Sequence, residues 1–300
     1  MARVLITGSG TGMGRLAART LAARGHTVYA SMRDPRGRNR TRAADLEGWA
    51  GEHGHDLRVV ELDVLDEASA AAAVGQVVER SGGLDVVVHN AAHLYVGITE
   101  AFDPEQVLCA FDTNAVGALR VNRAVLPVMR RQRSGLLVWV GSGTSFVVPP
   151  FLAPYTAAKA AFDSFAESVA VEVARYGIET SIVAPGPFTE GTEHFPNAAA
   201  PRDEQVADAY RELYGETLAR NGEATEGLFP AGVEQDVQAV ADEIARVVGL
   251  PRGSRPYRTS VDFSDFGDEP VSAVSVAQRA RLLTRMGLAD VLDPVGHGAE

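Results

Sequence analysis

The sequence predicts a doubly wound α/β fold: a parallel sheet of about seven strands with helices on both faces. Two observations carry this. Apolar runs of strand length alternate with amphipathic stretches of helical period along most of the chain. The runs are near-continuous Val, Ile and Leu, the pattern of strands buried on both faces. Strand, helix and strand in succession give right-handed crossovers and parallel neighbours.

Taken in order, the first strand is Val4–Thr7, followed by a glycine-rich turn and a helix over Gly12–Arg24 that Gly25 closes. A strand at Thr27–Met32 and a helix over Arg42–Glu52 follow, then a strand at Leu57–Leu62 and a helix over Glu67–Arg80. Gly82 and Gly83 break the chain before a strand at Leu84–His89. A single long helix is expected over Pro104–Gln132, a strand at Gly135–Val140, and a helix over Tyr155–Tyr176 that Gly177 ends. The sixth strand is Ile178–Val183. Residues 187–229 are rich in Gly, Pro, Thr and Asn around one helical stretch, Asp203–Ala219, which suits a lid over a substrate. A helix over Val233–Val248, a strand at Tyr257–Val261 and a helix over Ser275–Met286 complete the chain. Residues 1–250 are therefore expected to form one catalytic domain, with 251–300 as its C-terminal strand and extension.

Bulk properties narrow the function classes. At 46% hydrophobic and 22% charged residues the chain can bury a substantial core and does not read as disordered. No run reaches the roughly 18 apolar residues of a membrane helix, and the first residues enter a strand-like run with no signal-peptide pattern. Cys109, alone and within an apolar helical stretch, excludes an intrachain disulfide and reads as a core residue in a reducing compartment. A cytoplasmic location is expected. The net charge of −11 argues against general nucleic-acid binding. His89, His93 and His194 show no metal-ligand spacing, so no metal is expected. The charge is uneven: Arg33, Arg36, Arg38, Arg40 and Arg42 against Asp34 make an island of +4, leaving −15 elsewhere. Either a solvated loop or a local anionic ligand accounts for it.

The turn Thr7-Gly8-Ser9-Gly10-Thr11-Gly12-Met13-Gly14 lies between a buried strand and a helix. Glycines there let the backbone approach a pyrophosphate, and the helix N-terminus offers free N–H groups and a positive dipole end. This is the dinucleotide-binding arrangement of Rossmann-type folds, a tight structural turn being the alternative. In such folds an acidic residue at the end of the second strand grips the ribose 2′-hydroxyl of NAD. Here Met32 takes that position, preceded by Ser31 and followed by Arg33. A missing carboxylate beside a guanidinium suits a 2′-phosphate, so NADP(H) is favoured, with NAD(H) as the alternative. Arg33 is the expected ligand and Ser31 an added hydroxyl contact; Arg36, Arg38, Arg40 and Arg42 read as a solvated steering surface.

Tyr155 and Lys159 stand four apart at the start of a helix, on one face. A phenol near pKa 10 is a poor acid/base at neutral pH, and a neighbouring ammonium would lower it. The pair alone is weak, because chance produces it often. Ser142 at the end of the fifth strand and Asn114 in the preceding helix strengthen it.

With these motifs in order, the chain resembles the short-chain dehydrogenases/reductases over roughly residues 2–250, in the branch with the Thr-Gly-x-x-x-Gly-x-Gly turn. The resemblance extends to Asp63-Val64, to Asn90-Ala91 within His89-Asn90-Ala91-Ala92, and to Pro185-Gly186. His89 and Ala92 depart from the usual Asn-Asn-Ala-Gly. It implies that Ser142 binds a carbonyl oxygen, Tyr155 is the acid/base, Lys159 holds the nicotinamide ribose and supports the phenolate, and Asn114 positions a water. It implies also that Asp63 and Val64 border the adenine and that Pro185, Gly186, Phe188 and Thr189 border the nicotinamide. Thr189 is one residue earlier than the family's carboxamide-binding threonine, with Glu190 at that position. Assembly as a homodimer or homotetramer is the family's implication. Leu94, Tyr95, Phe146, Val147, Val148, Phe151, Phe188 and Phe195 are expected around the substrate, an apolar ketone, aldehyde or secondary alcohol. A dinucleotide-sensing protein without chemistry is the non-enzymatic alternative.

Overall fold

The computed structural model of the chain describes residues 1–294. Seven parallel strands form one sheet: β1 (Arg3–Ile6), β2 (Thr27–Met32), β3 (Leu57–Glu61), β4 (Val86–His89), β5 (Gly135–Val140), β6 (Ile178–Pro185) and β7 (Arg258–Val261). Their order is β3-β2-β1-β4-β5-β6-β7, so the winding reverses between β1 and β4. Ile6 is level with Ala30 and Val88, and Val140 with Val183, so the carboxyl ends share one rim. Ligands of such sheets bind in the crevice outside that rim, at the reversal.

The near-continuous apolar strands serve two cores. Val4, Ile6 and Val28 face one side, covered by Ala17 and Leu21 of α1 (Gly12–Ala23), Leu46 of α2 (Arg40–His53) and Ile244. Leu5, Tyr29 and Trp139 face the other, covered by Val77 of α3 (Glu67–Ser81), then by Val121 and Phe162. Each fully buried Leu or Ile contributes about 1.5–3 kcal/mol relative to exposure. The remaining helices are α4 (Pro104–Phe111), α5 (Gly117–Gln132), α6 (Ala153–Ala174), α7 (Glu204–Ala209), α8 (Arg211–Ala219), α9 (Asn221–Glu226), α10 (Gln238–Gly249) and α11 (Asp268–Arg285).

Four expectations change. The stretch Pro104–Gln132 is not one α-helix: a π-turn over Asp112–Val116 divides it into α4 and α5. Such turns admit an extra residue and re-aim the side chains within them, here Asn114. Residues 187–229 form α7, α8 and α9 in place of one helix, breaking at Tyr210 and Arg220. Helix α11 begins at Asp268, seven residues before the expected Ser275, because Gly267 in the left-handed region turns the chain there. Cys109 is exposed on α4; that short helix turns Ala110 inward.

The strap that follows β6 is tied down at its far end. Ala199 N donates to Leu94 O (2.8 Å), and Ala199 O accepts from Val96 N (3.0 Å). Asp103 and Gln106 form a capping box at the start of α4. The Gln106 amide also donates to Ala200 O (2.9 Å) and accepts from Arg202 N (3.0 Å).

Candidate active site

The rim carries a groove and a recess that opens from it. The groove, about 740 Å³, is lined by Gly8, Gly10, Thr11, Gly12, Met13 and Gly14 of the β1–α1 turn, by Met32 and Arg33, and by Val64, Asn90 and Ala91. The turn is packed against its neighbours: a Cβ on Gly8 would lie 2.8 Å from Ala91 Cα, and one on Gly14 would lie 2.5 Å from Gly8 O. The Asn90 amide fixes this contact, donating to Thr7 O (2.9 Å) and Gly8 O (3.1 Å). At Gly10 and Gly12 the backbone instead faces the groove, where the nearest atoms to an added Cβ are Arg42 Cδ (3.6 Å) and Thr192 Cβ (3.9 Å). The surface left open by these two glycines, with α1 starting behind it, fits a pyrophosphate. Met32 occupies the position where a carboxylate would meet a ribose hydroxyl, and Arg33 and Arg42 border it.

Several expected ligands stand elsewhere. The Ser31 hydroxyl is fully buried and donates to Ile6 O (2.9 Å), so it cannot serve a phosphate; Ser9 does the same at 3.0 Å. Asp63 turns its carboxylate back to Leu65 N (3.0 Å), and the groove wall there is Leu62, Val64 and Leu65. Thr189 is held by Gln235, whose amide meets its N–H and its hydroxyl at 2.8 Å each; Thr192 faces the recess. Arg42, read as a solvated cation, borders the groove because α2 begins at Arg40 and its first turn faces Gly10. Arg38 lines it as well. Arg42 pairs with Glu193 of the strap at 2.8 Å.

In the recess Ser142, Tyr155 and Lys159 come together, with Asn90, Pro185, Gly186 and Phe188 on the adjoining wall. Ser142 follows β5 and lines the recess beside Tyr155; the Thr144 hydroxyl donates to Ser142 Oγ at 2.9 Å and holds it in place. Burial pushes the phenol up to about 12, with only the neighbouring Ser142 hydroxyl acting downward. The expected lowering by Lys159 is therefore not seen. The ammonium donates to Val140 O (2.8 Å) and lies 6.0 Å from the phenol ring centre. Burial brings Lys159 down to about 8, opposed by the Asp163 carboxylate. Asn114, in the π-turn, spends its amide on backbone: Nδ2 donates to His93 O (3.0 Å) and Ala110 O (2.9 Å), and Oδ1 accepts from His93 N (2.7 Å). It clamps the chain leaving β4 against α4.

Of the apolar residues expected around the substrate, Leu94, Phe188 and Phe195 line the recess. Tyr95 packs inward on Phe102 (6.1 Å between centroids), Phe146 lies beneath the Arg258 guanidinium, Val148 is 69% exposed and Phe151 turns toward Tyr214. The wall is completed by Pro149, Pro150, Leu152, Leu228, Phe266 and His194. Burial, with the nearby Lys159 and His93 charges, brings His194 down to about 4, so a neutral imidazole faces the recess 6.4 Å from the Tyr155 ring.

The family model described as short chain dehydrogenase matches residues 2–202. The chain belongs to the short-chain dehydrogenase family. It is accordingly an oxidoreductase that uses a nicotinamide cofactor. Retinol dehydrogenase 8 of Bos taurus is 34% identical over 275 residues, 87% of this chain and 82% of that protein. The 3-ketodihydrosphingosine reductase of Bacteroides thetaiotaomicron is 31% identical over 188 residues, 63% of this chain; the match spans 64% of the reductase's own length. Among solved structures, a single-residue variant of actinorhodin polyketide ketoreductase with NADPH aligns with TM-score 0.71 at 25% identity, covering 88% of this chain and 95% of that one. No helix among the described residues is long and apolar enough to cross a membrane.

Proposed function

We propose that the chain is an NADP(H)-dependent reductase or dehydrogenase that interconverts an apolar ketone or aldehyde and its alcohol, with Tyr155 as the acid/base. The observation that carries this is the meeting of Ser142, Tyr155 and Lys159 in one recess, opening on a glycine-floored groove edged by Arg33 and lacking a carboxylate at Met32. Gly8–Gly14, Met32, Arg33, Asn90, Ala91 and Pro185–Phe188 would hold the nicotinamide dinucleotide, which when bound gives or takes the hydride.

In the reductive direction the hydroxyls of Ser142 and Tyr155 donate to the substrate oxygen and stabilise the negative charge that develops on it. A phenol pushed up to about 12 retains its proton at neutral pH, and releases it to the alkoxide once that oxygen becomes the stronger base. Lys159 supports the resulting phenolate. In the oxidative direction the proton returns along the same bond. Leu94, Leu152, Phe188, Phe195 and Phe266 exclude water and favour an apolar substrate. The relatives named for retinol and for a keto-sphingoid base agree with that class. A 2′-phosphate would meet Arg33, with Arg42 beside it, two planar cations suited to it. Assembly as a dimer or tetramer belongs to this reading, and sedimentation of the purified protein checks it.

The test is turnover of a panel of apolar ketones with NADPH and with NADH, followed by loss of the reduced cofactor's absorbance. NADPH is expected to be preferred. Tyr155→Phe is expected to remove turnover; unchanged turnover in that variant sinks the catalytic assignment, and a preference for NADH sinks the phosphate assignment.

A further inference from the structure

Of the chain's 28 Lys and Arg residues only Lys159 is a lysine. One turn further along α6 stands Asp163, on the same helix face and buried. Its Oδ2 accepts a hydrogen bond from the guanidinium of Arg258, carried by β7; the two side chains are 8% and 5% exposed. Its Oδ1 has no hydrogen-bond partner among the described residues and faces the main chain at Gly141, where a Cβ would lie 3.3 Å away. The ammonium of Lys159 donates to the carbonyl of the preceding residue, Val140. Ammonium and free carboxylate oxygen thus address neighbouring residues at one strand end. Arg258 also lies 4.9 Å over the ring of Phe146, in the loop that follows Ser142. It falls outside residues 2–202, the part of the chain that the family model matches.

A sealed ion pair is a poor way to add stability, since two apolar side chains of similar volume generally do as well or better. The position of this one, behind the lysine of the recess, points to another use. We propose that Asp163 is a positioning residue for Lys159: it keeps the ammonium charged and directed along the end of β5, while Arg258, delivered by the C-terminal strand, keeps Asp163 ionised and in place. This rests on the reading of Lys159 given above, and assigns to the chain beyond residue 250 a part in the chemistry.

Electrostatics agree. Asp163 is the one group that raises Lys159 against its burial, and Arg258 and Lys159 both oppose the upward push of burial on Asp163. Two other acids nearby share the Arg258 cation, and the remaining titratable groups are engaged elsewhere. Glu167 of α6 lies 3.7 Å from Arg258, and Asp268 of α11 also feels that cation. Arg279 of α11 stacks on Tyr257 beside β7. Tyr155 faces the recess beside Ser142, and β6 contributes only Glu179, paired with Arg255. His194 of the strap is neutral near pH 7.

A lone lysine makes the test direct. Lysine labelled with ¹³C at Cε gives a single side-chain resonance in the full chain, and its shift against pH titrates Lys159. Asp163→Asn is expected to lower that midpoint by about one pH unit or more. The alkaline limb of kcat for ketone reduction should move down with it, while KM stays within about twofold. Asp163→Glu should restore both. A midpoint unchanged in Asp163→Asn overturns the proposal. Should Asn at 163 prevent folding, the double variant Asp163→Leu/Arg258→Met removes both charges and is titrated against the same criterion. Failure of the catalytic reading is separate: full turnover in Tyr155→Phe would remove that reading and leave the lysine titration to report on Asp163.

Discussion

The two walls of the candidate active-site crevice are built on different principles. On the nucleotide side, β1, the Gly8–Gly14 turn and α1 present backbone, and the fit is made by atoms that cannot be elsewhere: Gly14 against Gly8 O, Gly8 against Ala91 Cα. On the substrate side the wall is side chains from distant segments, Leu94, Leu152, Phe195, Leu228 and Phe266, and the outer face of its strap is open, with Leu213 78% exposed. Backbone recognition needs glycines at fixed spacing and so leaves a motif. A wall of side chains needs only apolar volume from several places, and leaves none.

This contrast can be broken or sharpened by mutation. Gly14→Val places atoms on Asn90 and on Gly8 O; it should weaken NADPH binding at least about a hundredfold, ~3 kcal/mol, in a fluorescence titration. Binding within a fewfold would show the nucleotide wall to be as plastic as the other. Arg258→Met leaves the Asp163 carboxylate buried without its partner and should cost about 3–5 kcal/mol in urea unfolding. Arg33→Ala should lower the ratio of NADPH to NADH efficiency by roughly 10- to 100-fold, the value of one or two charge-assisted hydrogen bonds. Arg42→Ala, whose cation already serves Glu193, should lower it less. A ratio untouched by both would return the arginine island to solvent.

A smaller effect concerns pH. Lys159 is brought from 10.5 to about 8 in the folded chain, so between those values the unfolded chain holds more protons and stability rises with pH. Tyr155, pushed from 10 up to about 12, works the same way from pH 10 upward only in reverse: there the unfolded chain holds fewer protons and stability falls. The window for Lys159 alone is therefore pH 8 to 10, and Lys159→Met should flatten the rise of melting temperature there relative to the unmodified chain. Smallest of all, Leu213→Ser on the outer face of α8 should change stability by no more than about 0.5 kcal/mol.

The same contrast explains what can be read in advance. The alternation of strand and helix and the phosphate turn follow from local pattern and spacing, and the meeting of Ser142 with Tyr155 and Lys159 from the family resemblance those motifs carry. The π-turn at Asn114 does not, because its cause is tertiary: the amide is drawn to His93 and Ala110. Ser31 is legible as a polar residue beside the groove, but not that Ile6 O accepts its hydrogen bond. Arg42 belongs to the conspicuous arginine island, yet only the start of α2 at Arg40 shows that it faces Gly10. Phe146 reads as a substrate contact because it is aromatic and follows Ser142; its ring instead supports Arg258, a residue more than a hundred positions away. Where the partner is remote and the signal is one residue type, sequence pattern has nothing to count.

The single lysine has a practical consequence at the surface. Every solvent-facing basic side chain is a guanidinium or an imidazole, so no exposed side chain offers an amine, and Lys159 itself is 3% exposed. Acylating reagents, reducing sugars and amine-directed crosslinkers, which ordinarily modify a protein at many scattered lysines, have one side-chain target here. Their progress would report how often one nitrogen atom inside the recess is uncovered and unprotonated.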